Sequence, residues 1–176
     1  MRCLFLLFVL FTANSCFGQL SSNAPISVAM YAKAALVGMQ LSVKHAEAQG
    51  KVSLAIARCI YELSDDSFTP VFTRLLINNL TQEEIAVAEA FAGTTTGRKY
   101  AKLGLLQIYL VVGERSPEPL PSFTPNELAS IEAFRATSAG NKLVDQKVLE
   151  SPASRAVHGQ QIQELLRGCR DLQPRS

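Results

Sequence analysis

A chain of 176 residues with 17 Lys and Arg against 15 Asp and Glu, 48% of it hydrophobic, reads as a near-neutral globular protein. The charge balance provides no basic stripe of the kind that nucleic-acid binding requires. The two histidines, His45 and His158, are expected in helices among polar neighbours and stand more than a hundred residues apart, which does not suggest a structural metal site with its four ligands.

The first residues run Met1-Arg2, an apolar stretch from Cys3 to Phe11, then Thr12-Ala13-Asn14-Ser15-Cys16-Phe17-Gly18. A basic start, a short apolar run and a small-residue exit describe a secretory signal peptide over residues 1–18, with cleavage between 15 and 18. "ANSC" also offers a lipobox-like alternative, in which Cys16 carries lipid. The run is shorter than the ~20 apolar residues that span a bilayer. No later uninterrupted run is longer, "LLQIYLVV" being only a buried-helix candidate. The expectation is an exported protein with no transmembrane helix in the mature chain, a lipid anchor at Cys16 being the open alternative.

Residues 19–176 then form one domain, long enough to bury a core without staples. The pattern is helical almost throughout. A first helix runs from Pro25 to a glycine stop at Gly50, and a second covers "KVSLAIARCIYEL" up to the polar cluster Ser64–Ser67. "FTPVFTRLLINNL" is a third. Thr81 opens a fourth with a capping box completed by Glu84. Thr94 or Thr95 caps the next, which continues to Gly113. The stretch 113–122, with Pro117, Pro119 and Pro121, is an extended linker. Thr124, Pro125 and Glu127 repeat the capping box, "NKLVDQKVLE" extends a helix to Ser151-Pro152, and "ASRAVHGQQIQELLRGCRDL" is the last. No sustained alternation marks a strand. The fold class is all-α: a single-domain helical bundle of about seven to eight helices.

Inside this bundle the sequence says one thing twice. Residues 80–99 and 123–142 match at nine of twenty positions, in copies covering 80–112 and 123–150. The pairs are Thr81/Thr124, Glu84/Glu127, Ala86/Ala129, Glu89/Glu132, Ala90/Ala133, Phe91/Phe134, Thr94/Thr137, Gly97/Gly140 and Lys99/Lys142. Each copy is a helix–corner–helix unit: Thr and Glu cap, Phe anchors the corner, the second Thr caps the following helix, and the Gly lets the preceding helix approach. One unit cannot bury its apolar face alone, so the copies are expected to pack with approximate two-fold symmetry. Two are too few for a solenoid. Glu89 and Glu132 flank the apolar face. Paired carboxylates suit acid–base work, but the structural reading is stronger: each bonds the following corner or pairs with Lys99 and Lys142.

Two cysteines lie beyond the leader region. Val52, Ile56, Cys59, Ile60 and Leu63 form one helical stripe, and Ile162, Leu165, Leu166 and Cys169 another, so both thiols face the core. In an oxidising compartment such a pair becomes a disulfide. Apolar stripes do not suit a catalytic cysteine, which needs an electropositive, partly exposed setting. We expect a Cys59–Cys169 bridge clamping the repeats, two separate buried thiols being the alternative.

In the second copy, Thr124, Glu127, Leu128, Phe134, Thr137, Gly140 and Lys142 spell Thr-x-x-Glu-Leu, a Phe six residues on, and Thr-x-x-Gly-x-Lys. This resembles the core motif of a bacterial exported family, domain of unknown function 2059, over roughly residues 67 to 150. Two positions depart from it: Arg135, where the family usually has an aromatic, and Thr137-Ser138, where it often has Ser-Pro. The resemblance implies an all-α exported protein and no particular activity. The sequence reading is a non-enzymatic protein without cofactors that binds a protein partner in the bacterial envelope or periplasm, or self-associates as a homodimer. The alternatives are an immunity protein against a secreted toxin and a hydrolase built on Glu89 and Glu132.

Overall fold

The computed structural model describes residues 24–172, so the predicted signal peptide and Cys16 lie outside the described residues. The described residues are all helical or looped, in eight α-helices: α1 Ile26–Ala48, α2 Leu54–Tyr61, α3 Thr69–Asn79, α4 Gln82–Ala92, α5 Thr95–Val111, α6 Pro125–Arg135, α7 Ser138–Gly140 and α8 Pro152–Asp171. The all-α, single-domain expectation holds.

α1 is the central element. It packs on α2, α3, α4 and α5, and it buries Val28, Ala32, Met39 and Val43. A helix with neighbours on several sides must be apolar over most of its circumference. α1 is therefore long and apolar enough to cross a membrane by length and composition, with 23 residues and a window of mean hydropathy 1.4. The sequence expectation concerns uninterrupted apolar runs; here Lys33 and scattered small polar residues interrupt the run without lowering its average much. α1 ends as read: Gly50 takes φ +67, its N–H bonds Glu47 O at 2.8 Å, and Lys51 N–H bonds Ala46 O at 2.8 Å. This paired stop needs a left-handed residue, which glycine adopts without steric cost. Gly113 closes α5 in the same way at φ +80.

The main core lies between α1, α2, α3 and α8. Ile60 and Phe68 are fully buried there, with Val71, Phe72, Leu75 and Leu76 of α3 around them. Cys59 of α2 and Cys169 of α8 form a disulfide across a sequence separation of 110. The bridge does not clamp both repeats between its helices, since α8 reaches the second copy at its last turn. α8 packs on α2, on α3 and on a short 3-10 turn at Val148–Glu150, whereas α4 and α5 pack on α1 beside this body. Hydrophobic stripes show which residues face inward; they do not say which helices share a layer.

The predicted helix "NKLVDQKVLE" is corrected. After α7 the chain widens into a π-helical turn over Asn141–Asp145, passes through Lys147 at φ 50, and makes the 3-10 turn before α8. Gln146 N–H bonds Asn141 O at 2.9 Å, and Arg135 grips Asp145 Oδ1 at 2.6 Å, which pins the end of the turn to α6. The side-chain periodicity of a helix survives such a turn, so the sequence carries no mark of it.

Candidate site at the junction of the repeat units

Each copy builds its corner from local hydrogen bonds. Thr81 Oγ1 accepts from Glu84 N–H at 3.2 Å while Thr81 N–H donates to Glu84 Oε2 at 2.8 Å. Thr124 and Glu127 repeat the exchange at 3.3 and 2.8 Å. These are complete capping boxes, each satisfying free amides at a helix start. At the corners, Thr94 Oγ1 accepts from Gly97 N–H at 2.9 Å and donates to Phe91 O at 2.7 Å. Thr137 does the same with Gly140 and Phe134 at 3.0 and 2.6 Å. A Cβ on Gly97 would stand 2.0 Å from Phe91 O, and one on Gly140 would stand 1.9 Å from Phe134 O. Glycine is required at both positions by this close approach of backbone to backbone.

Contacts between the two copies are matched in the way an approximate two-fold axis requires. Phe91 and Phe134 face each other across it, stacked with centroids 4.1 Å apart and planes within 4° of parallel. The lysines cross between copies: Lys99 of the first binds Glu127 of the second at 2.7 Å, and Lys142 of the second binds Glu84 of the first at 2.7 Å. Glu84 thus serves both its own cap and the other copy. Ser138 Oγ also donates to its Oε1 at 2.5 Å. The Lys142 ammonium, then the Ser138 hydroxyl and the Thr81 amide, hold the Glu84 carboxyl down at about 2, and Lys99 with the Thr124 amide lowers that of Glu127.

This corrects the expected partners of Glu89 and Glu132. Neither meets Lys99 or Lys142. Glu89 caps α1 from outside, its Oε2 accepting from Ile26 N–H at 2.7 Å and its Oε1 from Ser27 N–H at 2.9 Å and from the Ser27 hydroxyl. A carboxylate at a helix N-terminus satisfies free amides and complements the helix dipole. Glu132 is 66% exposed and pairs with Arg135 at 2.8 Å. Each glutamate precedes its stacked phenylalanine by two residues, about 200° around the helix, so the two carboxylates point away from the axis rather than toward each other.

A cavity of about 200 Å³ opens beside the phenylalanine stack. α1 contributes Met30, Tyr31 and Ala34; α5 contributes Tyr100, Ala101, Gly104 and Leu105; the π-helical turn contributes Leu143 and Val144. Ser27 lines it too, with its hydroxyl already given to Glu89. Tyr31 stacks on Phe72 with centroids 5.8 Å apart, and burial pushes its hydroxyl up to about 12. Sequence reading missed this space, because its walls come from segments far apart in the chain.

The histidines stay apart. His45 Nε2 lies 3.2 Å from Glu114 Oε1, beside Lys44. His158 does not sit among polar neighbours as expected. It packs between the rings of Phe68 and Phe72, and burial lowers its basicity. Among the described residues, no three His, Cys, Asp or Glu side chains converge on a point that would hold a metal ion. No family model matches the chain, and no curated protein and no solved structure matches it either.

Proposed function

We propose that this is a non-enzymatic, exported helical protein that acts by binding a protein partner in a bacterial cell envelope. The observation that carries this reading is an exposed apolar edge where α5 meets the linker. Val111 is 85% exposed at the end of α5, and its chain neighbour Leu110 lines a groove with Pro117, Pro119 and Leu120, together with Arg115, Ser116 and Glu118. Grouped exposed apolar side chains rimmed by polar ones mark interaction surfaces. The duplicated polar residues supply no rival site. Glu84, Glu127, Thr94, Thr137, Lys99 and Lys142 are consumed by caps and cross-pairs, and Glu89 is spent on α1. A hydrolase using Glu89 and Glu132 gains no support from two carboxylates with separate partners.

Export is supported by the leader-like first 18 residues and by a disulfide suited to an oxidising compartment. The second-copy motif supports kinship with the exported family of unknown function 2059. The test is crosslinking and affinity capture from the envelope with the wild type and with the double variant Val111→Lys/Leu120→Lys. Both substituted side chains are exposed, so the variant should melt with the wild type and lose the captured protein. Sedimentation separates a self-complex from a complex with another chain. Undiminished capture by the variant would remove this surface from the reading.

A further inference from the structure

We propose that the cavity beside the Phe91–Phe134 stack is a binding site for a small uncharged molecule of about one aromatic ring. This goes beyond the protein-binding surface and involves different residues. The cavity straddles the approximate two-fold axis. Phe91 and Phe134, Tyr100 and Leu143, and Ala101 and Val144 line it as three matched pairs, each separated by 43 positions. Close by, the corner inside each unit is so tight that Gly97 and Gly140 leave no room for a methyl group. Space at the axis is therefore a local property of the side chains chosen there.

Gly104 is the most telling of those choices. It lies inside α5 with nothing within 4 Å of an added Cβ and with no left-handed φ, so neither packing nor backbone conformation calls for glycine. Glycine inside a helix costs about 1 kcal/mol relative to alanine. Gly104 is exposed and also lines the cavity, which places it at the mouth, where a side chain would obstruct entry. On the opposite wall, the helix of the second copy opens into a π-helical turn at the residues that supply Leu143 and Val144. Turns of this kind are rare and recur at functional sites.

Size and polarity set the ligand class. An apolar cavity of about 150 Å³ takes up benzene, whereas drug-sized ligands need about 300 Å³ or more. The 200 Å³ here suits a single substituted ring. No charged side chain lines the cavity, and with Ser27 engaged by Glu89 the tyrosines at 31 and 100 carry the remaining side-chain hydroxyls. A ring bearing at most a hydroxyl or an N–H fits; a carboxylate would be desolvated without a cation to meet it.

The experiment is calorimetric titration of the exported, disulfide-bonded protein with toluene, phenol and benzoate, followed by Tyr and Phe ring NMR shifts. Toluene and phenol should bind one to one and shift the ring signals of the cavity, with benzoate at least tenfold weaker. Gly104→Leu should weaken phenol at least tenfold while melting no lower than the wild type. If the leucine variant fails to fold, Gly104→Ala, which improves the helix, should still weaken phenol severalfold. No uptake of toluene or phenol by the wild type would overturn the proposal. So would equal binding of benzoate, or phenol binding untouched by the folded Gly104 variants.

Discussion

The two repeat units share their corners and differ in their surroundings. Thr94 and Thr137, Gly97 and Gly140, and the two capping boxes are superimposable in role, down to the same donors and acceptors. Outside that shared frame the copies part. In the first, α5 continues as regular helix for 17 residues; in the second, three residues of helix give way to a π-helical turn. Glu89 holds the start of α1, while its counterpart Glu132 faces water. The identity at a repeated position therefore fixes a local hydrogen bond, but the role of a long polar side chain depends on what the rest of the chain puts beside it. α1 lies against the first copy and breaks the symmetry.

The largest expected effect leaves this comparison intact. Cys59→Ser or Cys169→Ser should cost about 4 kcal/mol, as for a crosslink closing a loop of roughly a hundred residues, and the double variant should be no worse than either single one. The bridge lies outside the paired units, so its cost should add to that of a lesion in either copy, within the scatter of distant sites. Chemical unfolding with and without reductant measures it, and peptide mapping that finds both thiols free in protein purified without reductant would remove the bridge.

Next come the corners. Gly97→Ala and Gly140→Ala each force a methyl group onto a carbonyl oxygen and should cost roughly 3 kcal/mol. Equal costs would sharpen the two-fold reading. A Gly140→Ala variant less than half as costly as Gly97→Ala would break it, by showing that the π-helical turn relaxes where α5 cannot.

The crossed ion pairs should follow. Glu84 is 9% exposed and takes a bond from Ser138, so Glu84→Gln should lower Tm more than Glu127→Gln. Both carboxyls sit below their ordinary value in the folded chain, so each contributes stability that is full above pH 4.5 and is lost as the pH falls. For Glu84 that loss runs down to about pH 2. Unfolding between pH 6 and pH 2 should show a shallower acid slope for Glu84→Gln than for the wild type. Parallel slopes would place the acid sensitivity elsewhere.

The smallest effect is the most diagnostic of symmetry breaking. Glu89→Gln removes the charge that holds two amides of α1 and should cost about 1 kcal/mol, in the range of a lost helix cap. Glu132→Gln should melt with the wild type, because exposed ion pairs contribute little. Equal losses in the two variants would mean that Glu132 has a second, structural partner.

Much of this was legible in the residues, for one reason: it is local. A capping box spans four residues, so Thr81 with Glu84 and Thr124 with Glu127 declare themselves. The inward stripes carrying Cys59 and Cys169 also follow from spacing along single helices. What escaped is set by tertiary packing. Lys99 and Glu127 are 28 residues apart, and Glu89 and Ile26 are 63 apart; no spacing rule joins them. The π-helical turn escaped because Leu143 and Val144 look like ordinary helix residues, and the cavity because its walls combine α1 with both copies. His158 was misjudged because its sequence neighbours are polar, although the rings that surround it are Phe68 and Phe72.

The crossing of lysine and glutamate between copies has a further consequence. One unit, taken alone, carries both halves of the contact: an acceptor carboxylate, a donor ammonium and a ring to stack on the axis. Its face is its own complement, which is the defining property of an isologous dimer contact. The chain is in this sense a dimer made covalent. The ten-residue linker turns a bimolecular encounter into an intramolecular one, at the millimolar effective concentration typical of short tethers. A fused pair also gains what identical subunits never have: each half is free to change by itself. Here one half keeps its glutamate for α1, and the other opens its helix toward the space on the axis.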